Sequence, residues 1–226
     1  MRSPLPYYLL PIVALSSFAQ EPVHFNARDG WTLYGDLYGK GSRGVVLLHG
    51  GRRDKSHWAQ QAKALANNGF VVLAYDLRGT GASKDGPPEK RTNAANAPDA
   101  IAAIRFLQGN GARSISLVGA SMGGDIVEDV LRSLPAGEIE RAVFLAHGAY
   151  GPPQTLTKAR KLFILAKGDL GSGDIPRLKR IQLQYDQAPE PKELVLLDGT
   201  AHAQFLYETD QGGRLTTEIV RFLSAP

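Results

Sequence analysis

The stretch from Ser114 to Leu134 constrains the fold more than any other. An apolar, β-branched run, Ser114 to Val118, stops at Gly119-Ala-Ser121-Met-Gly123, and a segment of helical periodicity begins at once. That segment places Ile126, Val127, Val130, Leu131 and Leu134 on one face, with Asp125, Glu128 and Asp129 elsewhere. A strand that turns directly into a helix leaves no room for side chains beside the turning residue, so glycine on either side of Ser121 has a steric reason. A chain built this way crosses over before it pairs again, which favours a parallel sheet.

The rest of the chain repeats the unit. Val45 to Leu48, Phe70 to Tyr75, Ala142 to Ala146, Leu162 to Ala166 and Leu194 to Leu197 read as short apolar strands. Between them lie helices carrying Trp58, Ala62, Leu65 and Ala66; Ile101, Ile104 and Leu107 from about Pro98; a segment from Ile175 to Tyr185; and Leu215, Ile219, Phe222 and Leu223. Val23 to Ala27 and Trp31 to Tyr38 alternate around Arg28-Asp29-Gly30 and predict an N-terminal antiparallel hairpin. The expected architecture is α/β, a mostly parallel central sheet with helices on both faces. Gly39-Lys-Gly41-Ser-Arg-Gly44 matches the dinucleotide fingerprint in letters only, because it enters a strand and does not open a helix.

Composition narrows the function. The chain has 226 residues and no cysteine, which excludes disulfides and thiolate metal sites. The net charge of +4 comes from scattered basic residues, so no nucleic-acid partner is expected. The five histidines show neither His-x-x-x-His nor His-Glu-x-x-His spacing, and neither a metal nor a cofactor is expected. Residues 1–19 combine Arg2, an apolar run from Tyr7 to Phe18 and small residues at Ser17 and Ala19, the pattern of a secretory signal. Cleavage would leave 20–226 as a single domain, exported to the periplasm or secreted, with no stable membrane insertion; without cleavage the N-terminus would associate with the membrane.

A serine hydroxyl needs a base and a group to orient that base. Asp169 follows the strand ending at Ala166, and His202 follows the strand ending at Leu197, so Ser121, Asp169 and His202 fall in the order an α/β-hydrolase triad takes. His49-Gly50-Gly51 follows an earlier strand, and Asp76-Leu-Arg78-Gly79-Thr-Gly81-Ala-Ser83 follows another. With these pieces the chain resembles α/β-hydrolase-fold serine hydrolases, namely small esterases and dienelactone-hydrolase-like or serine-peptidase-like relatives, over nearly all of residues 20–226. The resemblance implies Ser121 as nucleophile, His202 as base and Asp169 as orienting acid, with an oxyanion hole from the backbone N–H groups of Gly51 and Met122. It also implies His49 as a structural histidine and Asp76 and Arg78 as braces of a loop.

Competing assignments stand beside these. Asp174 lies in the same loop as Asp169 and is the alternative acid, while Asp198 sits too close to His202 and reads as a turn residue. His147 ends a strand and reads as structural, and His24 and His57 as surface or loop residues. Only Ala146 to Arg160 occupies the interval where capped relatives insert a lid, which predicts an open site with Tyr150 as a substrate contact. Arg52, Arg53 and Lys55 read as a solvated basic loop first, and as a feature favouring an anionic substrate second. The substrate is expected to be a small-molecule ester or a peptide-like molecule: an ester hydrolase first, a peptidase or amidase second, and a catalytically silent binding protein third. The oligomeric state is left open.

Overall fold

The computed structural model describes residues 20–147, 156 and 159–226. The predicted signal segment and Tyr150 lie outside the described residues. Among the described residues no helix is long and apolar enough to cross a membrane.

The chain opens with β1 (Glu21–Asn26) and β2 (Thr32–Tyr38), paired antiparallel with Phe25 opposite Leu33. Gly30 makes the turn at φ +85°, as an Asp-Gly hairpin requires. The strands β3 (Arg43–Leu48), β4 (Phe70–Tyr75), β5 (Ser114–Ala120), β6 (Arg141–Leu145), β7 (Arg160–Ala166) and β8 (Lys192–Leu197) then complete an eight-stranded sheet in the order β1-β2-β4-β3-β5-β6-β7-β8. β2 meets β4 antiparallel, and every pairing from β4 to β8 is parallel. Every residue of β4 and β6 is buried, and β3, β5 and β7 bury all but their first. Strands covered on both faces have this continuous apolar character.

Among the described residues five α-helices connect and cover the sheet: α1 (Ala59–Asn67), α2 (Asn96–Gly109), α3 (Met122–Ser133), α4 (Arg177–Gln187) and α5 (Gly212–Ser224). From β3 the chain first moves to β4 and then crosses back past β3 to β5. Right-handed crossovers therefore put α1 on one face and α2 and α3 on the other. The packing of α1 against α5 and of α2 against α3 agrees. The reversal opens a crevice between the carboxyl ends of β3 and β5, where ligands bind in open α/β sheets.

The differences from expectation have physical reasons. β5 runs through Gly119 and Ala120, so the strand reaches the serine itself. α4 begins at Arg177, after Pro176, and Ile175 is left outside it and 67% exposed. Glu128, expected away from the apolar face, is buried beside His147 and bonded to Arg132. The glycines of the false fingerprint are steric: a Cβ at Gly39 would sit 2.4 Å from the Phe70 carbonyl oxygen. Lys161, buried in β7, donates to the carbonyls of Leu156 and Ala159 at 2.8 and 2.9 Å, and burial pulls its ammonium down to about 8.

Candidate active site

Ser121 stands between β5 and α3 at φ +50°, ψ −115°, a conformation that costs a non-glycine residue about 1–3 kcal/mol. Its surroundings enforce that geometry. The Ser121 N–H donates to the Leu145 carbonyl at 2.9 Å, and its carbonyl accepts from Gly124 N–H at 2.7 Å. A Cβ at Gly119 would lie 2.3 Å from the Gly123 oxygen, and one at Gly123 would lie 2.2 Å from the Leu48 oxygen. Both flanking glycines are therefore required by backbone contact, and Met122 is the first residue of α3.

His202 enters from the loop after β8 and heads a 3₁₀ turn, Ala203–Glu208. Its Nε2 lies 2.9 Å from Ser121 Oγ and its Nδ1 lies 2.8 Å from Asp169 Oδ2. A carboxylate only accepts, so Nδ1 carries the proton and Nε2 is left to accept from the serine hydroxyl. Asp169 is fully buried. Its second oxygen, Oδ1, lies 3.3 Å from Arg177 Nε without a hydrogen bond to it, because that Nε–H donates to the Leu170 carbonyl at 3.3 Å. The acid loop is closed by Arg177 N–H to the Asp169 carbonyl at 2.9 Å and Gly171 N–H to the Ile175 carbonyl at 2.7 Å.

On the opposite side of the serine, His49 is buried, and Leu77 N–H donates to its Nε2 at 3.1 Å. Nδ1 therefore carries the hydrogen and donates to the Gly50 carbonyl at 2.8 Å. Burial holds the His49 imidazole below its ordinary range, so it stays neutral and supports the loop as its sequence position implied. Gly50 abuts Ser121: a Cβ there would be 3.4 Å from Ser121 Cβ. Gly51 follows, exposed, and a Cβ on it would meet nothing within 4 Å.

The other candidates separate cleanly. Asp174 is exposed at φ +57° in the turn 172–174, and Asp169 is the carboxylate on His202. Asp198 pairs with Lys167 at 2.7 Å, which lowers its carboxyl. His147 is buried, stacked on Phe144 and pressed against Gly124, where a Cβ would come within 2.3 Å of its ring. His57 helps cap the turn that starts after Asp54, and His24 lies on β1 beside Tyr34. Asp76 accepts from Lys55 N–H and Ala82 N–H at 2.9 and 2.8 Å, bracing its loop.

The basic loop needs correction. Arg52 is exposed, but Arg53 pairs with Glu208 at 2.8 Å and lies 3.8 Å above the Phe205 ring. Lys55 reaches the buried Asp36 at 3.0 Å. Each of these two cations has a carboxylate within reach, which an inventory of residue types could not reveal. Two other residues were missed. Gln204 accepts from Gly50 N–H at 2.8 Å, and no sequence pattern marks it. Arg177 left a trace, since a cation in the first turn of a helix runs against the helix dipole and asks for a compensating anion.

Known proteins share the fold of this chain. The family model described as alpha/beta hydrolase fold matches residues 44–131. Similar solved structures include an esterase from Exiguobacterium antarcticum, at TM-score 0.74 and 16% identity over 91% of this chain and 100% of that one. A bromoperoxidase from Bacillus anthracis superposes at TM-score 0.75 and 18% identity, covering 91% of this chain and 100% of that one. An esterase from Pyrococcus furiosus does so at 0.73 and 19%, covering 98% of each chain. An acyl transferase from Photobacterium leiognathi is 30% identical over 118 residues, which are 52% of this chain and 37% of that protein. The chain therefore has the α/β-hydrolase fold.

Proposed function

We propose that this chain is a serine hydrolase that cleaves a small-molecule carboxylic ester through an acyl-enzyme on Ser121. The observation that carries the reading is the hydrogen-bonded series Ser121 Oγ, His202 and Asp169, at 2.9 and 2.8 Å, ending on a serine held at positive φ. In this reading Oγ bonds to the carbonyl carbon as His202 Nε2 takes its proton, while Asp169 orients the ring and stabilises the imidazolium. The oxyanion accepts hydrogen bonds from the N–H groups of Met122 and Gly51. The ester C–O bond then breaks, the alcohol leaves with the proton from Nε2, and water repeats the sequence to release the acid and restore the serine.

Exposed Leu170 and Ile175 on the acid loop, and Phe205 just after His202, suit a substrate with an apolar portion. A second reading is favoured by the acyl transferase relative: the same acyl-enzyme would pass its acyl group to an alcohol instead of water. Export is part of the proposal, and N-terminal sequencing of the exported protein is expected to begin near residue 20.

The test is reaction with a fluorophosphonate probe, with Ser121→Ala as control, followed by p-nitrophenyl esters against aminoacyl anilides. Labelling of wild type alone, with ester turnover exceeding anilide turnover, is expected. A folded wild-type protein that takes no label refutes the reading. Added short alcohols separate the two acceptors, since a transferase forms mainly the new ester.

A further inference from the structure

We propose that Gln204 is a positioning residue that sets the oxyanion loop from the segment carrying the base, so that one short turn, Ala203–Glu208, aligns both halves of the machinery. The proposal rests on the serine-hydrolase reading of Ser121. Its side chain crosses from the turn after β8 to the loop after β3, and Oε1 accepts from Gly50 N–H at 2.8 Å. Gly50 is wedged against the nucleophile, with the Ala120 oxygen 3.2 Å and Ser121 Cβ 3.4 Å from where its own Cβ would be. The next peptide presents Gly51 N–H, the donor assigned to the oxyanion. A shift of the Gly50 peptide is thus a shift of that donor, and oxyanion donors act only within a narrow range of distance.

The way Gln204 is held points to this use. Its residue is 3% exposed, and its amide nitrogen has no hydrogen-bond partner among the described residues. Buried amides are ordinarily satisfied at both ends. Here the orientation is set by the Gly50 donor, which only an oxygen can meet, and the amino group is left unsatisfied. Two outer contacts join the same segments: Arg53 to Glu208 at 2.8 Å, and Arg53 over the Phe205 ring at 3.8 Å. They are more exposed than Gln204, with Glu208 and Phe205 largely open to solvent, so the buried hydrogen bond is the firmer link. His202 heads the same turn, and Phe205 N–H donates to its carbonyl at 3.0 Å.

The test compares Gln204→Met, which keeps length and removes the acceptor, with Gln204→Glu, which keeps an oxygen where Oε1 lies. For Gln204→Met, kcat on a p-nitrophenyl ester and the rate of fluorophosphonate labelling are expected to fall together by about 10- to 100-fold, part of the loss seen when an oxyanion donor is deleted. KM and the acid limb of the pH–rate profile are expected to stay in place, because ground-state binding and the His202–Asp169 pair are untouched. Gln204→Glu is expected to restore part of the rate, since its oxygen still accepts from Gly50 N–H while its charge opposes the oxyanion. Equal rates for Gln204→Met and wild type overturn the proposal, as does a loss that Gln204→Glu shares in full or one that moves the acid limb. If Gln204→Met does not fold, full loss in a folded Gln204→Glu is itself the overturning result. Wild-type protein that takes no label refutes the parent reading instead, so the two failures are told apart.

Discussion

Two arginine–aspartate contacts in this molecule use the same residue types and arrive at opposite geometries. Arg78, after β4, is saturated. Its Nε and Nη2 donate to Asp99 at 2.8 and 2.6 Å, and its Nη1 and Nη2 donate to Asp29 at 2.6 and 3.0 Å. A third acceptor, the Lys90 carbonyl, lies at 3.1 Å, and the guanidinium packs over Trp31. That fork joins the hairpin turn, the loop after β4 and α2, and paired forks of this kind satisfy every donor they use. The Arg177 guanidinium offers the Asp169 carboxylate only a charge at 3.3 Å, with no aligned hydrogen bond, and spends its Nε–H on a backbone carbonyl. A carboxylate left incompletely bonded keeps a strong lone pair for the imidazole. Saturation makes a brace, and deliberate incompleteness leaves a group able to act on its neighbour.

The contrast is breakable by substitution. The largest expected effect is in Asp169→Asn, where kcat falls by about 10⁴-fold with little change in Tm, as when a triad acid loses its charge. Asp174→Ala is expected to match wild type in the same assay, and a larger loss there would reassign the acid. Next comes Asp99→Asn, which leaves the buried Arg78 half-partnered. Urea unfolding is expected to show a loss of about 3–5 kcal/mol, with the activity of the remaining folded protein unchanged. A variant that loses activity but not stability would abolish the distinction. Arg177→Gln is expected to slow turnover about 3- to 10-fold and move the acid limb of the pH–rate profile to higher pH, because a nearby cation no longer opposes the protonated ring.

The smallest effect concerns acid stability. The Arg78 hydrogen bonds lower the Asp29 carboxyl to about 2. A carboxyl depressed in the folded state contributes stability above its unfolded value that is lost as pH falls toward 2. Asp29→Asn is therefore expected to flatten the unfolding curve between about pH 4 and pH 2, modestly, because the side chain is 39% exposed and screened.

Much of this was legible in the residues because strand and helix periodicities differ and the turns carry distinct chemistry. The elements around Ser121 were readable since apolar β-branched residues give way abruptly to helical spacing. Asp169 and His202 could be found because both follow short apolar strands, and parallel strands end at one side of the sheet. What escaped was pairing between distant segments. Glu128 looked like a surface acid until His147 was seen against it, and Arg53 looked solvated until β8 brought Glu208 and Phe205 alongside. Gln204 lies 154 positions from Gly50, and no local pattern encodes a bond at that range.

The clearances around Gly119 and Gly123 also divide the site by how freely it can vary. With 2.2 and 2.3 Å to backbone atoms, neither position tolerates even a methyl group without moving a strand. Leu170, Ile175 and Phe205, by contrast, are 46%, 67% and 47% exposed. Leu170 and Ile175 therefore accept substitution with little disturbance of packing, while the turn at Ser121 stays locked. A library confined to those two exposed positions samples folded variants, and one spread over the turn at Ser121 samples mostly failures to fold.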